Sequence, residues 1–311
     1  MDYQSVIDYL KKHDDYTILM HNNPDGDTIG SAAALCSALR RYGKRSSVYP
    51  MEGIPDKYRT FIQPFILENS YSWMRAISVD VAAEELLPPD FSGKVDLAID
   101  HHQKNTLYSE NKLVKPMYSS CGEIIFQLIT RLCGSLTKQE AELLYIAVST
   151  DTGCFQYSNT SFHTLNTAAK LLKYGIDNAS LNDLLFRKVN RSRIVLESMI
   201  YSSMQYFRND SISVVTITQK MLEDSGAADE DLDDVASLAC RPKSAKLCIT
   251  IRERTDGKCR ISLRSFEGIN CVDICSVFGG GGHISAAGCT ISAGPKEACE
   301  MILSVIDEVL R

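Results

Sequence analysis

The chain has 311 residues, of which 44% are hydrophobic and 23% charged, and its formal net charge is −6 at pH 7. This composition excludes a disordered chain, and no run approaches the roughly 18 apolar residues of a membrane-spanning helix. The acidic balance argues against a long duplex as partner, because duplex affinity comes largely from Lys and Arg contacts to phosphate. From the length and composition we expect a soluble two-domain protein that binds no membrane.

The first 150 residues alternate short strand-like runs with helical runs. This alternation predicts an α/β domain with a doubly wound, mostly parallel sheet. The strand-like runs are YTILM, SSVYPM, AISVD and VDLAID, and the helical runs are TIGSAAALCSALRRYG, which ends at Gly43, and VAAEELL.

Helical patterns continue in CGEIIFQLITRLCG, KQEAELLYIAVS and SFHTLNTAAKLLKYG. The amphipathic stretch NRSRIVLESMIYSSMQYF then leads into the strand-like run NDSISVVTIT. We therefore predict a catalytic domain at residues 1–187, a linker helix at 188–211 and a smaller α/β domain with a mixed sheet at 212–311. The elements expected in the last domain are strands KLCITIRER and KCRISLRS, helix CVDICSVF, a glycine loop, strand CTISAG and a closing helix.

The eleven cysteines are irregularly spaced and lie mostly among apolar residues. Cys271 and Cys275 have helical i, i+4 spacing, but no second pair completes a tetrahedral thiolate site. We therefore predict buried thiols in a reducing compartment. Together with an N-terminus that lacks the apolar core of a signal peptide, this indicates a cytoplasmic protein.

Acidic and imidazole side chains follow several of the predicted strands. Open α/β sheets bind ligands at the carboxyl ends of their strands, so we expect these side chains to meet at one edge. They are His21, Asp25 and Asp27 after the first run, Asp80 after AISVD, Asp100, His101 and His102 after VDLAID, and Asp151 after the apolar, helix-biased IAVST.

Each of these residues also has a simpler interpretation. Asp27 is well placed to cap the helix that follows it, and Asp80 to cap VAAEELL. His13 and His163 look like ordinary packed or surface histidines. Four apolar runs ending in such residues nevertheless favour a metal site, since carboxylate oxygens mixed with imidazole suit Mn²⁺, and paired ions recur in phosphoryl displacement.

Five segments together resemble the DHH phosphoesterase superfamily, in the form that carries a DHH-associated C-terminal domain. Chain length favours the compact, NrnA-like subgroup of oligoribonucleases and 3′-phosphoadenosine 5′-phosphate (pAp) phosphatases, with the related cyclic-dinucleotide phosphodiesterases, over the longer RecJ exonucleases. The segments are HNNPDGDTIGS at 21–31, Asp80, DHH at 100–102, STDTGCFQY at 149–157 and GGGGHISAAG at 279–288.

The resemblance implies two Mn²⁺ ions, with Mg²⁺ or Co²⁺ as alternatives. It assigns His21, Asp25 and Asp80 to one ion, and it assigns Asp27, Asp80, His101 and Asp151 to the other. Asp80 and His101 would thus act directly in catalysis, with His102 as a phosphate contact or proton donor and Asp100 orienting a histidine. The choice of His101 rather than His102 as ligand stays open at this point, and the resemblance also allows a homodimer.

The C-terminal segment suggests a phosphate cradle. Gly280, Gly281 and Gly282 would let backbone N–H groups approach an anion, although glycine runs also form flexible loops. The side chains expected to assist are Arg264, Ser265, Asn270 and His283. A solvated strand residue is the alternative for Arg264.

Two aromatic side chains, Phe155 and Tyr157, are candidates for stacking on nucleobases, although aromatic residues at such a position are as often part of the core.

A metal set in one domain and a phosphate cradle in the other suggest a cleft closed at both ends, which selects short substrates. We therefore expect a Mn²⁺-dependent phosphoesterase that converts short oligonucleotides to 5′-mononucleotides and also acts on pAp. The alternatives are a phosphodiesterase of linear or cyclic dinucleotides (c-di-AMP, pApA, pGpG) and, from a different class, a non-catalytic nucleotide-binding module.

Overall fold

The computed structural model describes residues 1–66, 75–232, 235–266 and 268–309. The chain forms two compact units, Met1–Lys188 and Val189–Arg311. In the stretch predicted as a linker helix, residues Arg191–Ser202 form a helix and Gln205–Phe207 form a strand. Leu196 and Ile200 of that helix belong to a hydrophobic core of the second unit. This helix is therefore an integral part of the second unit.

The first unit contains a five-stranded parallel sheet, as predicted. The strand order β2-β1-β3-β4-β5 reverses direction at β1, so β1 and β3 flank a switch point at the carboxyl edge, where open sheets of this kind bind ligands. The strands are β1 (Tyr16–Leu19), β2 (Ser46–Val48), β3 (Arg75–Val79), β4 (Leu97–Asp100) and β5 (Asn111–Val114).

The helices of this unit are α1 (Tyr3–Lys12), α2 (Gly26–Arg41), α3 (Asp56–Ile62), α4 (Cys121–Cys133), α5 (Lys138–Asp151), α6 (Phe162–Leu172) and α7 (Asn178–Asn182), the last followed by a π-helical turn at Asp183–Arg187. Four of the five helices predicted in this unit are confirmed, those that form α2, α4, α5 and α6. The helix predicted at VAAEELL is wrong, since only a 3₁₀ turn forms at Glu84–Leu86. Pro88 and Pro89 follow at once, and Leu87, which precedes them, is extended.

The two faces of the parallel sheet are buried by different material. On one face, Ile18, Ile77 and Ile99 pack in the main core with residues of α1, α2, α4 and α5. On the other face, Leu19, Ala76 and Ala98 form a smaller cluster with Val81, Val95 and Leu107, which belong to connecting segments. Because both faces are covered, the inner strands β1, β3 and β4 are buried almost throughout, as expected of parallel sheets, whereas the edge strand β5 is only partly buried.

The second unit contains a mixed six-stranded sheet, which confirms the predicted class. The order is β10-β11-β9-β8-β7-β6, and only β7 and β8 pair in parallel. Its strands are β6 (Gln205–Phe207), β7 (Ile212–Ile217), β8 (Leu247–Glu253), β9 (Cys259–Ser265), β10 (Gly281–His283) and β11 (Ala286–Ile291), and its helices are α8 (Arg191–Ser202), α9 (Gln219–Ser225), α10 (Cys271–Ser276) and α11 (Pro295–Val309).

Eight of the eleven cysteines are buried, Cys271 and Cys275 of α10 among them, as expected of core thiols. None of the helices in the described part of the chain is long and apolar enough to cross a membrane.

A glycine lets α2 pack directly on the backbone of α5. A Cβ atom at Gly30 would lie 2.3 Å from the Leu143 carbonyl oxygen and 3.0 Å from the Ala147 nitrogen. Both are main-chain atoms of a helix, so they cannot move aside as a side chain can. The same two helices carry Asp27 and Asp151, so this contact controls how close those two carboxylates come.

Gly30→Ala should therefore destabilise the full-length chain by about 1–3 kcal/mol, the usual cost of overpacking a core. Calorimetric unfolding is the measurement, with Gly294→Ala as the matched control because nothing lies within 4 Å of a Cβ at Gly294. Equal unfolding temperatures for the two variants would contradict the proposed helix contact.

Candidate metal centre

The turn after β1 contains three of the predicted ligands. Asp25 is the N-cap of α2, and its Oδ1 accepts the N–H groups of Asp27 and Thr28 at 3.0 and 3.1 Å. The capping role considered for Asp27 is therefore wrong, because Asp25 fills it. His21 lies close to the same carboxylate, with Nε2 3.6 Å from Asp25 Oδ1.

Asp27 is buried at the N-terminus of a different helix. Its two carboxylate oxygens accept the N–H groups of Cys121 at 2.6 Å and Gly122 at 2.9 Å, the first residues of α4, and Ser31 Oγ donates to Oδ1 at 3.0 Å. These helix N–H groups normally bond to a capping side chain, but Ser120, the N-cap of α4, makes no such bond. Asp27 thus accepts the N–H groups at the start of α4 in place of a local capping residue.

Asp80 follows β3 in a backbone conformation that residues other than glycine rarely adopt. Its φ is +61°, in the left-handed region that Asp and Asn tolerate better than most residues. The side chain is buried, and Oδ1 has no hydrogen-bond partner among the described residues. No helix follows for Asp80 to cap, so that alternative is also wrong.

The two histidines after β4 are held differently. His101 Nδ1 lies 3.2 Å from the Tyr118 carbonyl oxygen, which directs Nε2 toward the acidic cluster. His102 Nδ1 lies 2.8 Å from Asp100 Oδ1, and Asn105 Nδ2 donates to Asp100 Oδ2 at 2.7 Å. Asp100 orients His102, while the Tyr118 carbonyl orients His101.

Asp151 reaches the site from a helix rather than from a strand. It is the last residue of α5, where the helix dipole disfavours a negative charge. Asp151 thus lies at the end of the apolar run IAVST as expected, and the predicted helical bias of that run is confirmed.

The predicted ligands converge at the carboxyl edge of the sheet. Asp80 lies between the two histidines, with Oδ2 3.8 Å from His21 Nε2 and Oδ1 3.5 Å from His101 Nε2. His101 Nε2 also lies 3.8 Å from Asp27 Oδ2 and 3.6 Å from Asp151 Oδ2. These distances exceed a hydrogen bond but are shorter than twice a metal–ligand distance of about 2.1 Å, so one ion can contact both atoms of each pair.

Three groups of side chains have ligand atoms that all lie within 4.8 Å of one another. They are His21 with Asp25 and Asp80, Asp27 with His101 and Asp151, and Asp80 with His101 and His102. The first two groups share no residue. Asp80 belongs to the first of them, and its carboxylate also faces the second.

The electrostatics of the site are those of clustered buried acids. Burial raises the pKa of Asp80 well above its usual range, and the charge of Asp27 raises it further. Burial also raises the pKa of Asp27 to about 7, followed by the charge of Asp151. The pKa of Asp151 is raised to about 7 by burial and then by the charge of Asp25.

The pKa shifts of His102 and its partner Asp100, unlike those of the acidic cluster, favour the charged forms. The hydrogen bond to Asp100 raises the pKa of His102, and burial opposes this rise. For Asp100 itself burial opposes ionisation, but the bonds from His102 and Asn105 hold its pKa below the usual range. The hydrogen bond between His102 and Asp100 thus favours the charged form of both side chains beside the acidic cluster.

These residues fit a divalent metal pair. Asp80 Oδ1 is a buried, unbonded oxygen, which a protein rarely leaves without a ligand. The surrounding carboxylates repel one another in a low-dielectric setting, which bound cations relieve. Carboxylate oxygens and imidazole nitrogens are ligands for ions such as Mn²⁺.

The residues expected in the phosphate cradle lie together in the second unit, but two of them, Ser265 and Asn270, form local hydrogen bonds within the protein. Arg264 is exposed on β9, opposite Ala286 of β11. Ser265 Oγ donates its single hydrogen to the Ile269 carbonyl oxygen at 2.6 Å, so the hydroxyl has no hydrogen left for a phosphate. Asn270 Oδ1 caps α10 by accepting the Val272 N–H at 3.0 Å.

The glycine run is not a simple loop. Gly281, Gly282 and His283 form the exposed edge strand β10, paired with β11. A Cβ at Gly280 would lie 2.3 Å from the Gly288 carbonyl oxygen, and one at Gly282 would lie 2.5 Å from the Ala286 carbonyl oxygen. Tight packing of this hairpin therefore accounts for two of the glycines independently of any anion.

The two candidate stacking residues lie in the turn that follows α5 rather than at a strand end. Phe155 has φ +65° and packs against the main core, with its ring centroid 6.1 Å from that of Tyr145. Tyr157 is half exposed, and its ring covers Gly153, where a Cβ would lie 2.4 Å from the ring.

Sequence reasoning missed the groups that orient the ligands. Asn105, the Tyr118 carbonyl, Ser31 and the N–H groups that begin α4 act through local hydrogen bonds that carry no distinctive residue pattern. A helix start after SS at 119–120 is recognisable, but its partner, Asp27, is 94 residues away from Cys121.

Comparisons with known proteins agree with this architecture. Residues 15–148 match the family described as "DHH family, N-terminal domain", and residues 209–311 match the "DHHA1 domain". A crystal structure of an exopolyphosphatase-related protein from Bacteroides fragilis shares the fold, with a TM-score of 0.90 at 23% identity over 98% of this chain and 95% of that one.

Similar curated proteins match this chain over nearly their whole lengths. One from Thermus thermophilus is 29% identical over 304 residues, 94% of this chain and 89% of the relative, and one from Bacillus subtilis is 27% identical over 287 residues, 88% and 89%. Both are named bifunctional oligoribonuclease and PAP phosphatase NrnA. With both domain matches in order along one chain, the protein belongs to the DHH phosphoesterase family, with a DHH N-terminal domain followed by a DHHA1 domain.

Proposed function

We propose that this chain is a manganese-dependent hydrolase that cleaves short oligonucleotides to 5′-mononucleotides and also removes phosphate from pAp. The observation that carries the proposal is the Asp80 carboxylate, which faces His21 with one oxygen and His101 with the other. The Thermus thermophilus and Bacillus subtilis relatives, named for both activities, support this choice of substrates.

The ligand roles follow from which side chains face one another. His21, Asp25 and Asp80 would hold one ion, and Asp27, His101, Asp151 and Asp80 would hold the other. Ions bound there would supply the Lewis acidity that polarises the phosphate and activates water. The protein's own contribution is to hold these carboxylates in position against their mutual repulsion.

His102 is suited to a different task. Asp100 fixes its Nδ1 and raises its pKa, so the ring carries a proton near neutral pH more often than a free histidine does. This leaves Nε2 as the ring nitrogen that would contact the phosphate or donate a proton to the leaving oxygen. The paired arrangement of an oriented imidazole and a buried carboxylate is common in acid–base sites.

The second unit contains groups suited to binding a phosphate. Arg264 is exposed and can form two parallel bonds with a phosphate, and His283 is exposed on the edge strand β10, which β11 separates from the strand of Arg264. The backbone of Gly281 and Gly282 at the same edge offers N–H groups to an anion.

The substrate class is tested by incubating purified protein and Mn²⁺ with pApA, pAp and a 24-residue RNA. We expect release of AMP from pApA and of phosphate from pAp, with the long strand degraded much more slowly. Efficient degradation of the 24-residue strand with no action on the two small substrates would refute the proposed specificity. Cleavage of cyclic di-AMP or pGpG at higher kcat/KM than pApA would favour the dinucleotide alternative.

Asp80→Asn should abolish hydrolysis and at the same time raise the unfolding temperature of the chelator-treated protein. A ligand facing both ions contributes several kcal/mol of transition-state stabilisation, so the rate should fall by about a thousandfold or more. Asn tolerates the φ of +61°. The pKa of Asp80 is raised in the folded state, so this carboxyl destabilises the fold increasingly as pH rises above the unfolded value of about 3.9. The gain in unfolding temperature should therefore be larger at neutral pH than at about pH 4.

Asp210→Asn is the matched control for that variant. Asp210 has φ +62° and is exposed in the second unit, so the substitution should change neither turnover nor unfolding temperature. If Asp80→Asn keeps near-normal turnover, the shared-ligand role is wrong.

The two histidines should separate binding from chemistry. His101→Ala should lose affinity for one Mn²⁺ ion in calorimetric titration, because Nε2 faces three of the proposed ligands. His102→Ala should bind both ions and lose about 10²–10⁴-fold in kcat, the usual contribution of a general acid. The reverse pattern would exchange the two roles.

A further inference from the structure

A fully buried glutamate outside the ligand set is part of the support of this centre. Glu123, in the first turn of α4, is 0% exposed. Its Oε1 accepts the Ser119 N–H at 3.1 Å, Ser119 Oγ at 2.5 Å and Thr164 Oγ1 at 3.0 Å. Its Oε2 is buried and bonds to none of the described residues, and no described Lys, Arg or His forms an ion pair with it.

Helix capping does not explain this residue. Ser120-Cys-Gly-Glu123 has the spacing of a capping box, in which the serine hydroxyl accepts the Glu N–H and the Glu side chain accepts the serine N–H. In the structure Ser120 makes no cap bond, its hydroxyl has no hydrogen-bond partner in the described part of the chain, and Glu123 bonds to Ser119 instead. A buried carboxylate costs several kcal/mol unless it is paired, so an unpaired one suggests a role beyond stability.

The segment that Glu123 holds, residues 118–122, contacts two of the proposed ligands through its main chain and is linked to a third through the side chain of Asn159. The Tyr118 carbonyl lies against His101 Nδ1 at 3.2 Å. The Cys121 and Gly122 N–H groups donate to Asp27. Asn159 Nδ2 donates both to the Ser119 carbonyl at 3.3 Å and to the Asp151 carbonyl at 3.0 Å, which ties the end of α5 to this segment.

We propose that Glu123 is a positioning residue for the metal centre, fixing residues 118–122 so that Asp27, His101 and Asp151 meet around one ion. The inference rests on the proposed two-ion function and adds a specific claim to it. His21 and Asp25 have no contact with residues 118–122 among the bonds of the described residues, so Glu123 acts on the ion held by Asp27, His101 and Asp151 and not on its neighbour.

Glu123→Ala and Glu123→Gln are the test variants, titrated calorimetrically with Mn²⁺ and assayed on pApA over a range of Mn²⁺ concentrations. In Glu123→Ala the affinity for one ion should fall about 10–100-fold, as is usual when a group that orients a ligand is lost, while the other ion binds as before. Turnover should recover at saturating Mn²⁺ with an unchanged KM for pApA. Glu123→Gln keeps an oxygen acceptor for Ser119 and should lie closer to the wild type.

Glu140→Gln is the matched control, since Glu140 is also a fully buried glutamate in the first turn of a helix. It bonds to Arg41, Ser37 and Thr137, away from the metal centre. This variant should lower the unfolding temperature without weakening either ion. Wild-type affinity for both ions in Glu123→Ala, or an equal loss of both ions, would overturn the proposal.

If Glu123→Ala does not fold, Ser119→Ala takes its place, because it removes one donor to Glu123 and leaves the carboxylate in position. A selective weakening of the same ion supports the proposal, and wild-type affinity overturns it. The wild-type titration separates this inference from the proposed function: a wild type that binds no ions refutes the two-ion function, whereas two bound ions with an unaffected Glu123→Ala refute only the role of Glu123.

Discussion

The mutual repulsion of three clustered carboxylates, two of them buried and one partly exposed, is the constraint on which the rest of the first unit depends. Asp27, Asp80 and Asp151 converge in a low-dielectric pocket, and burial raises the pKa of each. Nothing in hydrophobic packing favours such an arrangement, since each acid costs free energy there. It persists because the surrounding fold holds each residue by its backbone or by a hydrogen bond that a different element supplies.

Each carboxylate is stabilised from a separate part of the fold. The N-terminus of α4 donates two N–H groups to Asp27, and the favourable end of that helix dipole offsets part of the burial cost. Asp80 is held by its left-handed backbone and by the N–H bond to the Ile99 carbonyl at 2.9 Å. Asp151 depends on helix packing, because a Cβ at Gly26 would lie 2.4 Å from Thr150 Oγ1, its neighbour.

In the second unit, glycines serve the packing of a hairpin at the edge of the sheet. The hairpin of β10 and β11 needs Gly280 and Gly282 for steric reasons, and the same absence of side chains leaves main-chain groups open at the sheet edge. Steric packing thus accounts for these two glycines without a bound anion. Ser265 and Asn270 likewise serve the local structure, since their hydrogen bonds stabilise the turn and the helix start.

The sequence by itself determined the parallel sheet, its strand-end acids and the mixed C-terminal sheet, because hydrophobic runs and the residues that end them are local properties. It offered Asp27 as the cap of α2 and predicted a helix at VAAEELL, both of which are wrong, and it left open which histidine faces the acids. Only the tertiary structure decided these points. The Tyr118 main-chain carbonyl orients His101 toward the acids, and the N-terminus of α4 donates to Asp27 from 94 residues along the chain, whereas Asp100 bonds to its near neighbour His102. Hydrogen bonds of this kind depend on where the backbone passes, and that is a property of the whole fold.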